Sequence, residues 1–331
     1  MDNFRRLLAM PQVMGYASIL CNESIIKYST DAQTMYRCQM EALNYYKYDA
    51  VYPACDHLVQ AQSLGSKLEF NESVGYPYLS KNALENVHEW ERLKTLDGPL
   101  AGRVPVILEA CYQLRKNLDQ EVLVIPKIVG PFTLAGQLIE LREIFECILL
   151  KDLNKLQQFL EYLTDCIIAY GDALIKSGAD VIVIYDPLVT PDIVPADIFY
   201  LLEFENLKKI CTVLRSKGCK GIWIQFPTRE KYFPVFNNLQ PDFLSVDEVT
   251  KIEDNLSDSS TLLVGNIPPF SFVEGSSATI EKLSFDFLES SKNKSKIILG
   301  GSCEIPLESK SENILALVNF AKSYKMVKSD E

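Results

Sequence analysis

The chain has 331 residues, of which 47% are hydrophobic and 23% charged, and its formal net charge is −11. This is the composition of a globular protein, and the acidic excess argues against binding to a nucleic-acid backbone, which needs a basic surface. The first residues are not followed by the apolar segment of a secretory signal, and no apolar stretch is long enough to cross a bilayer. We therefore expect a soluble cytoplasmic protein with neither nucleic acid nor membrane as a partner.

The nine cysteines are scattered, odd in number and without a CxxC pair. This usage is typical of reduced thiols in a reducing compartment rather than of a disulfide framework. Three of them, Cys147, Cys166 and Cys211, fall within apolar helical patterns and are predicted to be small core residues. Cys303 differs, because it follows an apolar run that ends in two glycines.

Apolar runs and helical patterns alternate along most of the chain. Runs without strict polar alternation are typical of strands buried on both faces, as in a parallel sheet. The predicted strands are residues 48–52, 67–71, 121–128, 180–185, 221–226, 242–246, 261–264 and 296–299. The predicted helices are residues 32–46, 153–174 after an N-cap at Asp152, 196–215 and 308–323.

This alternation, with short connections and no Gly/Ser/Pro-rich linker, predicts a single (β/α)8 barrel over residues 1–331 with a polar tail at 326–331. A doubly wound open sheet is the alternative. No GxGxxG follows the first strand, which weighs against a dinucleotide-binding fold.

Active sites of such barrels lie at the carboxyl ends of the strands. Any one polar residue there could instead cap the next helix, but together they predict one polar face. The candidates are Asp56, His57, Tyr185, Asp186, Gln225, Asp247, Glu248, Asn266 and Cys303.

Other site types find little support in the sequence. The second of only two histidines, His88, lies in a polar helical stretch and is predicted at the surface. No GxSxG, Walker, EF-hand or HExxH sequence occurs.

Six segments in chain order resemble one family. Residues 130–136 (GPFTLAG) look like the GPFTLA segment of the uroporphyrinogen decarboxylase-like superfamily, and especially of its corrinoid-dependent methyltransferase branch. Residues 177–180 with Asp186 resemble its SGADxIxxxDP stretch. The remaining matches are 48–65 with Asp56, 245–248, 265–269 and 301–306.

The resemblance implies a (β/α)8 barrel of the uroporphyrinogen decarboxylase type, in a family with two main activities. One is the decarboxylation of a tetrapyrrole without a cofactor. The other moves methyl groups between small molecules and a corrinoid protein, usually with zinc. The decarboxylases carry an arginine-rich RQAGRY segment, whereas residues 11–16 here hold no arginine. Asp56 matches the aspartate that sits among the pyrrole nitrogens, but methyltransferases often have one there too.

The methyltransferases that use coenzyme M show a His-x-Cys pair and a distal cysteine as zinc ligands. The pair falls on Trp223 and Gln225, so that Cys303 alone remains. A zinc site normally needs three or more protein ligands. Glu248, Asp247, Asp56 or His57 could complete a different site with Cys303, using oxygen and nitrogen ligands. Relatives that demethylate aryl methyl ethers in anaerobic bacteria also depart from the usual ligand set. Alternatively, Cys303 is a pocket residue without a metal.

The resemblance therefore implies a methyltransferase with its usual zinc ligands replaced, whose partners are a corrinoid-binding protein and a small-molecule methyl donor or acceptor. Asp56 and Cys303 are the expected catalytic residues. The expected substrate-binding residues are His57, Tyr185, Asp186, Gln225, Asp247 and Asn266. Two alternatives remain: a uroporphyrinogen decarboxylase, or a non-catalytic barrel that binds a small molecule.

Overall fold

The structure is a computed structural model and describes residues 6–71, 75–150, 152–189, 194–226, 236, 238–247 and 260–324. Within these residues, no helix is both long and apolar enough to cross a membrane. The predicted polar tail at 326–331 lies outside the described residues.

The strands form a closed parallel barrel, as the alternating pattern predicted. The barrel strands are β1 (Leu8–Ala9), β2 (Ala50–Val51), β5 (Leu123–Val124), β6 (Lys127–Val129), β7 (Val181–Tyr185), β8 (Gly221–Gln225), β9 (Phe243–Val246), β10 (Leu262–Ile267) and β11 (Ile297–Gly301). Seven of them pair in the order β1-β11-β10-β9-β8-β7-β6, with every neighbouring pair parallel.

Strand β2 closes the remaining gap between β1 and β6. It pairs in parallel with β5, which continues into β6 after only two residues. On its other side, the Asp49 amide donates to the Ala9 carbonyl at 2.9 Å, and the Asp49 carboxylate accepts from the Ala9 amide at 2.8 Å. Eight strand positions therefore surround the axis, which makes the fold a (β/α)8 barrel.

Helices surround the barrel. They are α1 (Tyr16–Leu20), α2 (Ile25–Thr30), α3 (Ala32–Tyr46), α4 (Val59–Ser63), α5 (Val104–Asn117), α6 (Pro131–Leu138), α7 (Leu141–Leu149), α8 (Leu153–Lys176), α9 (Ala196–Phe199), α10 (Glu205–Ser216), α11 (Pro269–Glu274), α12 (Ser277–Glu289) and α13 (Ser311–Ser323). The apolar stripe of α8 is buried, as its spacing predicted.

The barrel interior is filled by a layer of large side chains. Register pairs Lys127 with Val183, Val183 with Trp223, and Trp223 with Phe243. Paired residues on neighbouring strands point the same way, and Val183, Trp223 and Phe243 belong to one buried cluster. The Trp223 indole donates to Ser245 Oγ at 2.8 Å. Trp223 thus lies in the packed core.

The structure also changes three predicted elements. The strand predicted at 67–71 is β3 (Lys67–Glu69), which pairs antiparallel with β4 (Tyr78–Lys81) outside the barrel. The helix predicted at 196–215 is interrupted by a wider turn at Tyr200–Phe204. Asp152 precedes α8 but makes no capping hydrogen bond with its side chain.

Replacing Trp223 tests the packed interior. We expect Trp223→Ala to lower the free energy of unfolding by about 3–5 kcal/mol, because the neighbouring strands cannot collapse into the cavity. Urea denaturation monitored by circular dichroism measures this change. The control is Phe270→Ala, since Phe270 is 70% exposed and its loss should cost less than about 0.5 kcal/mol. Similar midpoints for both variants would contradict the assignment of Trp223 to the core.

Candidate functional site

The predicted site residues gather at the carboxyl end of the barrel, which we call the mouth. Tyr185 and Gln225 are register partners at the last positions of β7 and β8. Asn266 pairs with Gly300 near the ends of β10 and β11. Cys303 lies two residues after the end of β11, and Asp247 directly follows β9. Glu248 lies outside the described residues.

Asp56 is held by a buried arginine at this mouth. Arg103 Nη2 donates to Asp56 Oδ1 at 3.0 Å, while Nη1 donates to Oδ2. Both side chains are nearly inaccessible, at 6% and 5% exposure. The carboxylate also accepts from the Leu58 amide at 2.9 Å and from the Cys55 thiol at 3.0 Å. Asp56 is therefore fully engaged by the protein itself.

His57 forms a dyad with Glu304. Its Nε2 lies 3.5 Å from Glu304 Oε2, and its ring centroid lies 4.3 Å from that of Tyr185. Burial by itself would raise the pKa of Glu304, but His57 and then Lys127 outweigh it, so that this pKa is lowered. The other ring nitrogen, Nδ1, is buried without a hydrogen-bond partner among the described residues. This arrangement orients the imidazole and leaves Nδ1 for a ligand.

The Asp186 carboxylate is hydrogen-bonded by residues at the start of α6. Its Oδ1 accepts from the Thr133 amide at 2.9 Å and from the Thr133 hydroxyl, and its Oδ2 accepts from the Phe132 amide at 3.1 Å. The carboxylate thereby caps α6, and a Cβ at Gly130 would collide with it. Asp186 is completely buried, and its carboxylate is occupied by these contacts with α6.

A second buried carboxyl group, Glu203, lies against Asp186. Burial raises the pKa of Asp186 to about 6, although Thr133 and Glu203 oppose the shift. Burial and then the Asp186 charge raise the pKa of Glu203 well above its ordinary value. Neither Glu203 oxygen has a well-formed hydrogen bond in the described part of the chain. Two carboxyl groups in a dry site cannot both ionise cheaply, so one of them keeps a proton.

A lysine that the sequence reading did not select lies below the mouth. Lys127 is 8% exposed, and its Nζ has no hydrogen-bond partner within the described residues. Its ammonium lies 4.7 Å from the centre of the Tyr185 ring. Burial lowers the pKa of Lys127, while Cys303 and Glu304 oppose the shift.

Lys127 and His57 line a narrow cavity of about 10 Å³, room for about one water molecule. Buried polar atoms that lack a hydrogen bond among the described residues lie at the same end of the barrel. They are both polar atoms of Gln12, Nδ1 of His57, Nζ of Lys127 and Oε1 of Gln225, and Oε2 of Glu304 has only its 3.5 Å contact with His57. Buried polar groups are normally paired. So many unpaired ones in one region indicate a place for water or a ligand.

The described residues do not fit a zinc ion. Trp223 is in the core, and its indole has no lone pair for a metal. Gln225 Nε2 donates to the Ser302 carbonyl at 3.5 Å. Within the described ranges, no group of three or more His, Cys, Asp and Glu side chains is close enough to hold an ion.

Sequence reasoning missed Arg103, Lys127 and Gln12. A signal existed for Lys127, because it is a lone charge in the apolar run of residues 125–129. Arg103 and Gln12 carry no local signal, since their roles depend on contacts with residues distant in the chain.

The closed parallel barrel and its polar mouth define an α/β-barrel protein of the (β/α)8 class. Residues 7–324 match the family described as Uroporphyrinogen decarboxylase (URO-D). The chain belongs to this family.

Curated relatives carry two activities. Methylcobamide:CoM methyltransferase MtaA of Methanosarcina barkeri is 29% identical over 268 residues, covering 74% of this chain and 73% of that protein. Methylcobamide:CoM methyltransferase MtbA of Methanosarcina acetivorans is 23% identical over 293 residues, covering 84% and 80%. Uroporphyrinogen decarboxylase of Wolbachia pipientis wMel is 26% identical over 329 residues, covering 96% and 91%.

Among solved structures, a methyltransferase from Methanosarcina mazei superposes with a TM-score of 0.83 at 20% identity, covering 97% of this chain and 94% of that one. This likeness confirms the fold. The family relationship makes the chain similar to methyltransferases and decarboxylases alike.

The buried carboxyl pair of Asp186 and Glu203 keeps a proton, and we therefore expect the stability of the protein to depend on pH. Because the Glu203 pKa is raised on folding, stability falls as pH rises above about 4.5, where the unfolded chain loses the proton. The glutamine in Glu203→Gln cannot titrate. As pH rises, the free energy of unfolding of this variant should therefore increase relative to that of the parent by up to about 1.4 kcal/mol per pH unit. Chemical denaturation at pH 5 and pH 8 measures this. The exposed Glu161 supplies the control, Glu161→Gln, and equal gains at both pH values would contradict the buried pair.

Cys303 should be the most reactive thiol. Seven of the nine cysteines are buried, and only Cys21 and Cys303 are half-buried. Burial, and then Glu41, raise the pKa of Cys21 and so lower its thiolate fraction. We therefore expect iodoacetamide to modify Cys303 first, as followed by peptide mass spectrometry over time. Faster labelling of Cys21, or of Cys147, Cys166 and Cys211, would show that Cys303 is shielded.

Proposed function

We propose that this protein is a methyltransferase of a corrinoid-dependent system, which moves a methyl group between a small molecule and a corrinoid protein. The observation that carries the proposal is the His57–Glu304 dyad: His57 lines the cavity at the mouth, and its Nδ1 has no hydrogen-bond partner among the described residues. The names of MtaA and MtbA support the corrinoid and the small-molecule thiol as reaction partners.

The His57–Glu304 dyad can supply or remove the proton that methyl transfer requires. When the bond between a methyl carbon and a heteroatom breaks, the electron pair stays on the heteroatom, which then needs a proton. His57 Nδ1 can supply that proton, and it can remove one from a thiol or similar acceptor in the opposite direction. Glu304 keeps the ring oriented through Nε2. Tyr185 packs on one face of the imidazole and helps to exclude water.

The other predicted residues take different parts in this proposal. Cys303 lies close to Tyr185 and to Lys127, so it borders the space where the methyl-bearing atom would sit. Gln225 and Asn266 line the neighbouring strand ends. Asp56 supports the floor of the site through Arg103, rather than touching the methyl group.

The state of Asp56 weighs against tetrapyrrole decarboxylation. An aspartate that receives pyrrole N–H groups must have free lone pairs. Here two guanidinium N–H groups, one amide and one thiol already occupy the carboxylate. Residues 11–16 also lack the arginine that would hold substrate carboxylates.

Transfer of a methyl group to cob(I)alamin tests the proposal, with a panel of methoxylated compounds, methylamines and methylated thiols as donors. We expect turnover with at least one donor and a loss of about 10²–10⁴-fold in His57→Ala. Glu304→Gln should lose less, because an amide oxygen can still accept from Nε2. His88→Ala is the control, since His88 is exposed.

Cys303→Ala should lower turnover while the unfolding midpoint stays unchanged. Formation of coproporphyrinogen from uroporphyrinogen would instead establish the decarboxylase. Stabilisation by ligands without turnover, even with the native corrinoid protein, would establish a binding barrel.

A further inference from the structure

Lys127 is placed in the barrel by its register. It pairs with Val183, whose side chain belongs to the interior cluster, and Ile125 two residues earlier belongs to the same cluster. Strand alternation therefore turns the Lys127 side chain inward, towards the mouth from below. The equivalent positions on the next three strands hold apolar side chains, namely Val183, Trp223 and Phe243. Lys127 is the charged member of this layer.

The charges near Lys127 are matched with other partners. Asp56 is bound by Arg103, and Glu304 is paired with His57 at 3.5 Å. Lys127 has no such salt bridge within the part of the chain that the structure describes; its contact is the face of Tyr185. An ammonium group buried without a hydrogen-bonded anion is costly, and a cation–π contact offsets only part of that cost. The surroundings of Lys127 therefore favour one additional negative charge.

The size and surroundings of the cavity narrow the choice of anion. The space holds about one water molecule, so only a small group can replace that water. A phosphate carries two charges and needs several donors, whereas the site offers one ammonium and has Glu304 nearby. A carboxylate presents one charge, and one of its oxygens fits a space of this size beside Lys127.

We propose that Lys127 binds the carboxylate of a small organic acid, and that this acid is the methyl-bearing substrate or product at the mouth. The binding of a carboxylate by Lys127 does not depend on the proposed function. The identity of the acid as the methyl-bearing substrate or product rests on it. The carboxylate would sit below Tyr185, and the methyl-bearing end would extend towards His57 Nδ1 and Cys303. Lys127 would then be a substrate-binding residue that selects an acid over its neutral analogue.

The probes are methoxyacetate and methoxyacetamide, which share a methyl ether and differ in charge. Binding is measured by ligand-observed NMR titration on the whole protein without corrinoid, so turnover is not needed. We expect the parent protein to bind the acid about tenfold more tightly than the amide. Lys127→Met should remove this preference while leaving the weak amide binding unchanged. Lys176→Met, at a 73% exposed side chain, should retain the preference.

A second readout separates binding from a structural role. Because Lys127→Met removes an unpaired buried charge, we expect it to unfold at the same temperature as the parent or higher in the absence of ligand. Lys127→Gln serves if the methionine variant does not fold. Equal affinity of the parent for acid and amide, or an acid preference that survives in both Lys127 variants, overturns the inference. Lys127-dependent acid binding without any methyl transfer would support the carboxylate site at Lys127 and would refute the proposed function, together with the role of the acid as methyl carrier.

Discussion

The parallel closure of the barrel is the constraint on which the rest of the structure depends. Because β1 pairs in parallel with β11, and every intervening pair of the seven-stranded sheet is parallel, all of these strands end at the same mouth. Residues distant in the chain, such as His57 and Glu304, then meet without any local signal. The same closure makes the interior a set of layers, and it decides which side chains face the axis.

Two of the segments by which the sequence resembles its family are physically one unit. The glycine-proline turn before α6 presents the Phe132 and Thr133 amides, and Asp186 after β7 accepts from both. Gly130 is needed there because a side chain would collide with the carboxylate. The likeness in these segments therefore reports how a helix is attached to the barrel. It carries little information on whether the site transfers methyl groups or removes carboxylates.

The chemistry of the mouth depends on which charges the protein has already satisfied. The Arg103 guanidinium donates to both carboxylate oxygens of Asp56, and Glu304 orients the His57 ring. What remains available is the outer ring nitrogen of His57, the half-buried Cys303 and the ammonium of Lys127. These groups are chemically suited to exchanging protons and to binding a small anion. The position of Trp223 in the core removes one ligand that the methyltransferase resemblance would supply for zinc.

The sequence by itself determined the fold class, helix α3 to the residue, the main strands, and the end of the sheet where polar residues collect, because these follow from apolar periodicity and strand direction. It also placed His88 at the surface and Cys147, Cys166 and Cys211 in the core. Only the tertiary structure decided that Asp186 caps a helix, that Asp56 is bound by Arg103, and that β3 lies outside the barrel. These outcomes depend on partners far away in the chain and on which face of a strand is turned inward, and a local pattern contains neither.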